Sequence, residues 1–152
     1  MDEKQSNLKR IDNVGIVVSS FNKIVPFFEE LGMKLEGQSV VEGEWSGRVT
    51  GIKDQEVEIA MMVTPDGHNR LELCRYIKPL PEEDHRNAPA NAFGYLRVMF
   101  AVRDIDETVE RLQKMGGRLE GEIVQYETMY RLCYMRGPEK ILIGLAEELK
   151  GL

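Results

Sequence analysis

Few side chains in this 152-residue chain are of types that do chemistry, and their spacing narrows them further. The histidines are His68, within the turn-forming stretch 65–69, and His85, within a proline-rich stretch. His68 and Glu72 stand four apart, a spacing that shares one face only on a helix, and here it spans a turn and a strand. Both histidines therefore read as solvated, not as ligands or proton shuttles. Cys74 and Cys133 are far apart and belong to no paired motif, which suits two reduced, packed thiols in a cytoplasmic protein better than a disulfide. Trp45, flanked by Gly43 and Gly47, reads either as a core anchor or as a cover over a cavity mouth. Tyr126, Tyr130, Arg131 and Tyr134 crowd a strand-like stretch, and alternation alone does not say which of them face inwards.

The elements that must position these residues come in duplicate. Residues 97–121, RVMFAVRDIDETVERLQKMGGRLEG, lie without a gap on residues 13–37, NVGIVVSSFNKIVPFFEELGMKLEG. Val14/Val98, Val18/Val102, Val25/Val109, Gly32/Gly116, Leu35/Leu119, Glu36/Glu120 and Gly37/Gly121 are identical. A gapless match closing on a shared Leu-Glu-Gly marks a duplicated module. Each copy opens on a short β-branched run, 14–18 and 98–102. Ser20 or Asp104 follows in the N-cap position. Then come apolar residues at helical spacing, Phe21, Ile24, Val25, Phe28 and Leu31 against Ile105, Val109, Leu112 and Met115. Gly32 and Gly116 fall where a helix ends in a left-handed residue. Pro26 is near enough to the helix start to be tolerated, at the loss of one hydrogen bond.

After the repeat, 34–41 reads as a strand, 42–51 as an ordered loop or irregular strand, and 56–63 as a strand. Pro65-Asp66-Gly67 is a turn signal. The stretch 70–76 alternates, with Leu71 and Leu73 opposed to Arg70, Glu72 and Cys74. Pro79, Pro81 and Pro89 make 77–93 a linker. In the second copy, 125–136 and 141–145 are the later strands, separated by a Gly137-Pro138 turn. The expectation is one α+β domain over 1–152, with module one at 11–76, the linker at 77–93 and module two at 94–149.

Composition excludes several classes of partner. A hydrophobic fraction of 42% with 30% charged residues is ordinary for a soluble globular chain. The net charge of −6 argues against nucleic acid, whose binding needs clustered Lys and Arg. No apolar run approaches the roughly 20 residues that span a bilayer. Residues 1–9 are polar and lack the apolar core of a signal peptide.

Two β-α-β-β-β units joined by a proline-rich linker resemble the vicinal oxygen chelate superfamily of glyoxalases, bleomycin-resistance proteins and extradiol dioxygenases. The resemblance runs from 11 to 149. Its marks are the strand-turn-helix openings and the endings TPDGHNRLEL (64–73) and RGPEKILIGL (136–145), similar to the family's Asp-Pro-x-Gly-x-x-x-Glu-Leu close. It implies a glyoxalase-like fold, two tandem βαβββ modules whose curled mixed sheets cup a central cavity. In metal-dependent members, one residue on the first and one on the last strand of each module hold a single divalent ion. Those positions fall on Asn13, Glu72, Arg97 and Gly144. Only Glu72 is a good ligand; Asn13 is weak, Arg97 is a permanent cation and Gly144 has no side chain. The expectation is no metal cofactor, with Glu72 the one position where a divalent ion stays open.

By the same resemblance Glu72 and Arg97 point into one cavity and pair there. Arg97 would present its donor fork to a carboxylate, enediolate or phosphate, with Glu72 as base in the manner of glyoxalase I. With Arg97 facing in, alternation adds Tyr95 and Met99 to the lining. Asn13, Trp45, Tyr126 and Arg131 complete the ligand-binding candidates. Two functions follow. One is a binder of a small anionic or thiol-adduct organic molecule, in the manner of the bleomycin-resistance proteins. The other is a glyoxalase I-like lyase or isomerase acting on a hydroxy-carbonyl or thiol conjugate, with Arg97 as electrophile and Glu72 as base. Sheet edges that need cover, and the family's habit, point to a homodimer.

Overall fold

The computed structural model describes residues 6–149, so the first five and last three residues, including part of the polar 1–9 stretch, lie outside the described residues. Module one runs β1 (Val14–Val17), α1 (Phe21–Leu31), β2 (Lys34–Glu42), α2 (Glu44–Thr50), β3 (Glu56–Val63) and β4 (Arg70–Lys78). Module two runs β5 (Arg97–Ala101), α3 (Ile105–Lys114), β6 (Arg118–Leu119), β7 (Val124–Tyr126), β8 (Tyr130–Arg136) and β9 (Leu142–Glu148). The strands order as β1-β4-β3-β2 in one sheet and β5-β9-β8-β6 in the other, with β7 also on β8. In each sheet the first strand lies parallel to the last and the other pairings are antiparallel. This is the expected α+β pair of βαβββ modules.

The caps of the two main helices follow the sequence. Ser20 Oγ accepts from the Asn22 amide at 3.2 Å, and Asp104 Oδ1 accepts from the Glu107 amide at 3.0 Å. Gly32 closes α1 at φ 122°, and Gly116 stands at φ 94° just past α3. α1 passes through Pro26 without interruption.

Three readings need correction. Most of the stretch 42–51 is neither loop nor irregular strand: Glu42 closes β2, and Glu44–Thr50 form the helix α2, with Gly43 (φ 100°) and Gly51 (φ 79°) supplying its ends. Its polar underside is satisfied internally, with Gln55 Nε2 donating to Ser46 Oγ and Thr50 Oγ1 donating to Gln55 Oε1. The stretch 125–136 is no single strand, because Glu127 takes a left-handed φ of 50° and folds it into the β7–β8 hairpin. β4 continues two residues further, to Lys78, before the linker begins.

Apolar side chains of both modules form one cluster around α1 and α3. Phe28 lies edge-on to Phe27 at 5.6 Å and meets Phe100 of β5 at 6.2 Å. Each sheet gives one face to this core: Ala60, Met62, Leu71 and Leu73 from the first, Cys133, Met135, Ile143 and Leu145 from the second. Strand alternation then turns Gly15, Glu72, Cys74 and Tyr76 away from it in module one, and Arg97, Met99, Gly144 and Tyr134 in module two. Val17 and Met99, 51% and 47% exposed, show how open these outward faces are.

Candidate functional site

Duplication places the two outward faces in matching register. Gly15 of β1 lies opposite Glu72 of β4, and Met99 of β5 lies opposite Gly144 of β9. In each pair one partner is a glycine; the space over Gly15 is open, and that over Gly144 is filled by Met99. A Cβ on Gly144 would meet Met99 Cε at 2.7 Å, so the thioether stands where module one has its carboxylate.

Around Glu72 the face is acidic and closely held. Cys74 Sγ lies 3.3 Å from Glu72 Oε1 and donates to it. Burial first, then the bond to Glu72 and its charge, pushes the Cys74 thiol up to about 12. Cys74 is thus a proton donor at neutral pH, not a thiolate nucleophile. Tyr76 shares this face, and burial, followed by the charges of Cys74 and Glu72, raises its phenol as well.

Around Arg97 the face is aromatic. The Arg97 guanidinium carbon lies 4.5 Å from the centroid of the Tyr134 ring, a cation–π contact. Tyr134 and Tyr130 alternate with Cys133 and Met135, which are in the core, so both tyrosines face outwards. Tyr126 pairs directly with Tyr130 and shares that face. Tyr95 is fully exposed just ahead of β5.

Several expectations fail on this geometry. Glu72 and Arg97 make no ion pair with each other among the described residues; one holds Cys74, the other Tyr134, and they sit on different sheets. Arg131 lies on the core side of β8, where its guanidinium holds Asp106 in the first turn of α3 at 2.5 and 3.0 Å; it does not line the outward face. Trp45 is 62% exposed on α2, so it is not a core anchor. Asn13 donates to Asp12 at 3.3 Å and, with Met99, borders a groove of about 870 Å³ between the modules that neither Glu72 nor Arg97 lines. His68 and His85 are exposed, as read. Alternation leaves Tyr126, Tyr130, Arg131 and Tyr134 open, because 130–135 carries apolar side chains on both faces, and the core positions of Cys133 and Met135 resolve them.

The model of the Glyoxalase/Bleomycin resistance protein/Dioxygenase superfamily matches residues 10–145. The chain belongs to that superfamily. A glyoxalase family protein of known structure from Bacillus cereus is 62% identical, with a TM-score of 0.93 over 98% of this chain and 100% of that one. The uncharacterized protein YwbC of Bacillus subtilis (strain 168) is 28% identical over 135 residues, 86% of this chain and 91% of its own. TnmS3, an antibiotic binding protein from Streptomyces sp. CB03234, is similar in fold at 19% identity, with a TM-score of 0.62 over 95% of this chain and 99% of that one. The superfamily's metal positions, carried onto Asn13, Glu72, Arg97 and Gly144, do not fit a divalent cation. One carboxylate, one amide, one guanidinium and a glycine covered by Met99 are not a ligand set. Among the described residues no group of three or more His, Cys, Asp or Glu side chains is placed to hold one either.

Proposed function

We propose that this glyoxalase-superfamily chain is a binding protein for a small anionic organic molecule, with Arg97 as the anchor and no divalent metal in the usual position. The observation that carries this is the Arg97 guanidinium itself. It stands on an outward face, has no carboxylate partner among the described residues, and is held by the Tyr134 ring. A stacked guanidinium keeps its N–H fork available for a carboxylate or phosphate. That TnmS3 is an antibiotic binding protein supports binding as a use of the fold. Free Cys74 and Cys133 support a reducing, cytoplasmic setting, and no helix among the described residues is long and apolar enough to cross a membrane.

The binding unit is proposed as a homodimer. One outward face carries the carboxylate of Glu72 and the other the guanidinium of Arg97, each ringed by half-exposed apolar side chains such as Val17 and Met99. A two-fold pairing that lays each Glu72 face on a second copy's Arg97 face covers both twice and encloses the ligand between them. A screen of anionic and thiol-containing metabolites by thermal shift, followed by titration calorimetry, tests the reading. Hits should lose binding in Arg97→Met and keep it in Glu72→Gln; binding indifferent to Arg97 sinks it.

A further inference from the structure

The chain has five phenylalanines and five tyrosines, and the fold separates them. Phe27 and Phe28 are buried, Phe21 and Phe100 pack on the core, and Phe93 alone is exposed. No tyrosine joins the core cluster. Tyr126, Tyr130 and Tyr134 stand on the outward face of module two, Tyr76 on that of module one, and Tyr95 is exposed ahead of β5. Tyrosine on an open surface offers a rigid ring and a polar tip at little conformational cost, the combination that recognition surfaces use. The three tyrosines of module two share one face, with Tyr126 opposite Tyr130 and Tyr134 two outward positions further along the same strand, past Leu132. Beside Tyr134 lie the Arg97 guanidinium and the Met99 thioether, a group that favours aromatic edges.

We propose that the ligand is a flat, aromatic anion: an aromatic carboxylate or sulfonate whose charge takes the Arg97 fork and whose ring lies against the Tyr134 end of the aromatic wall. This deepens the anion-binding reading and rests on it. An aliphatic carboxylate would satisfy Arg97 equally and leave the wall unused. A wall whose Tyr134 ring stands beside the cation selects for ring and charge together.

The test uses the whole chain and three probes: 2-naphthoate, its saturated counterpart decahydro-2-naphthoate, and neutral 2-naphthylmethanol, titrated by calorimetry at concentrations checked by sedimentation. The first should bind more tightly than either of the others by about tenfold, the order of one aromatic contact or one charge-assisted bond. Tyr134→Leu should erase the preference for 2-naphthoate over its saturated counterpart, Tyr134→Phe should keep it, and Arg97→Lys should weaken both carboxylates. Equal binding of both carboxylates, still dependent on Arg97, overturns the aromatic inference and leaves the anion reading standing. If Tyr134→Leu lowers the sedimentation mass and leaves the preference unchanged, the wall is a subunit contact and the inference falls. Carboxylates that bind without regard to Arg97, or no binding of 2-naphthoate at millimolar concentration, overturn both.

Discussion

Glu72 and Cys74 show how much one neighbour decides. A thiol on an outward strand face would ordinarily be a site of alkylation and oxidation. Beside the Glu72 carboxylate and partly buried, Cys74 titrates at about 12 in the folded chain, against about 8.5 for a free cysteine. The folded state therefore holds its proton where the unfolded chain releases it. That contribution to stability is complete below about pH 8.5 and is lost as pH rises towards 12. The melting temperature should fall between pH 9 and 11 in the wild type, and the fall should be smaller in Cys74→Ala; parallel melting curves across that range would contradict it. Glu72→Gln should speed alkylation of Cys74 by iodoacetamide at pH 8.5, because it removes both the acceptor and the charge that hold the proton. None of this was legible in the sequence, where Cys74 is simply the polar alternate to Leu73 and the reach of its thiol to Glu72 is a matter of two rotamers. The family positions Glu72 and Arg97 were legible, and both face outwards. Their supposed contact was not, because alternation fixes the face of a residue within its sheet and says nothing of which sheet it will meet.

Among the elements, the turn Pro138–Lys140 carries more than its length suggests. Glu139 accepts the Ser19 amide at 2.7 Å, the Ser19 hydroxyl at 2.8 Å and the Ser20 amide at 3.2 Å, tying module two to the start of α1. Arg86 of the linker reaches the same carboxylate at 2.8 Å. To do so Glu139 adopts φ 59° and Lys140 φ 63°, left-handed conformations that cost a side-chain-bearing residue about 1 kcal/mol or more each. With its side chain only 15% exposed, the carboxylate's bonds should outweigh that strain, and Glu139→Ala should destabilise by about 2 kcal/mol in a denaturant titration. Glu139→Gly, which loses the same bonds and sheds the strain, should cost about 1 kcal/mol less than Glu139→Ala. Arg86→Ala should cost under about 1 kcal/mol, since that guanidinium is 40% exposed and also held by Asp84. A Glu139→Ala cost no larger than that of Arg86→Ala would show that the turn does not fasten the modules. Next to it, a Cβ on Gly137 would stand 3.0 Å from the Phe27 ring, so Gly137→Ala should cost about 1–3 kcal/mol by overpacking. The strands, both long helices and their caps could be read from periodicity because those signals are local. α2 and the β7–β8 hairpin could not, because single residues at positive φ, Gly43, Gly51 and Glu127, decide them.

For the whole molecule the question is what covers the outward faces. β1 and β5 stand at the edges of their sheets, each paired on one side only, and Val17, Met99, Val124 and Tyr126 expose apolar surface that would ordinarily be covered. If a second copy lays its Glu72 face on the Arg97 face of the first, the charge pair that the sequence suggests forms between chains and not within one, in the dimer without ligand, and the ligand's anion takes the place of Glu72 on the Arg97 fork. Within one chain these two residues have no bond to each other, so in the monomer the stability changes of Glu72→Gln and Arg97→Met should add. In the dimer they should not. Removing one partner leaves the other charge covered and unpaired, and removing both should recover much of the loss. The measurement is a double-mutant cycle on the dimer dissociation constant, by sedimentation velocity from nanomolar to tens of micromolar, with denaturant titrations of the four variants at the dilute end. A coupling of about 0.5–3 kcal/mol in association, and none in the folding of the monomer, is expected. A mass near the 17.4 kDa of one chain at every concentration would leave the faces uncovered and remove the dimer from the reading. A dimer whose association is additive in the two substitutions would mean that the chains meet elsewhere, and that Arg97 waits for its anion without Glu72 across from it.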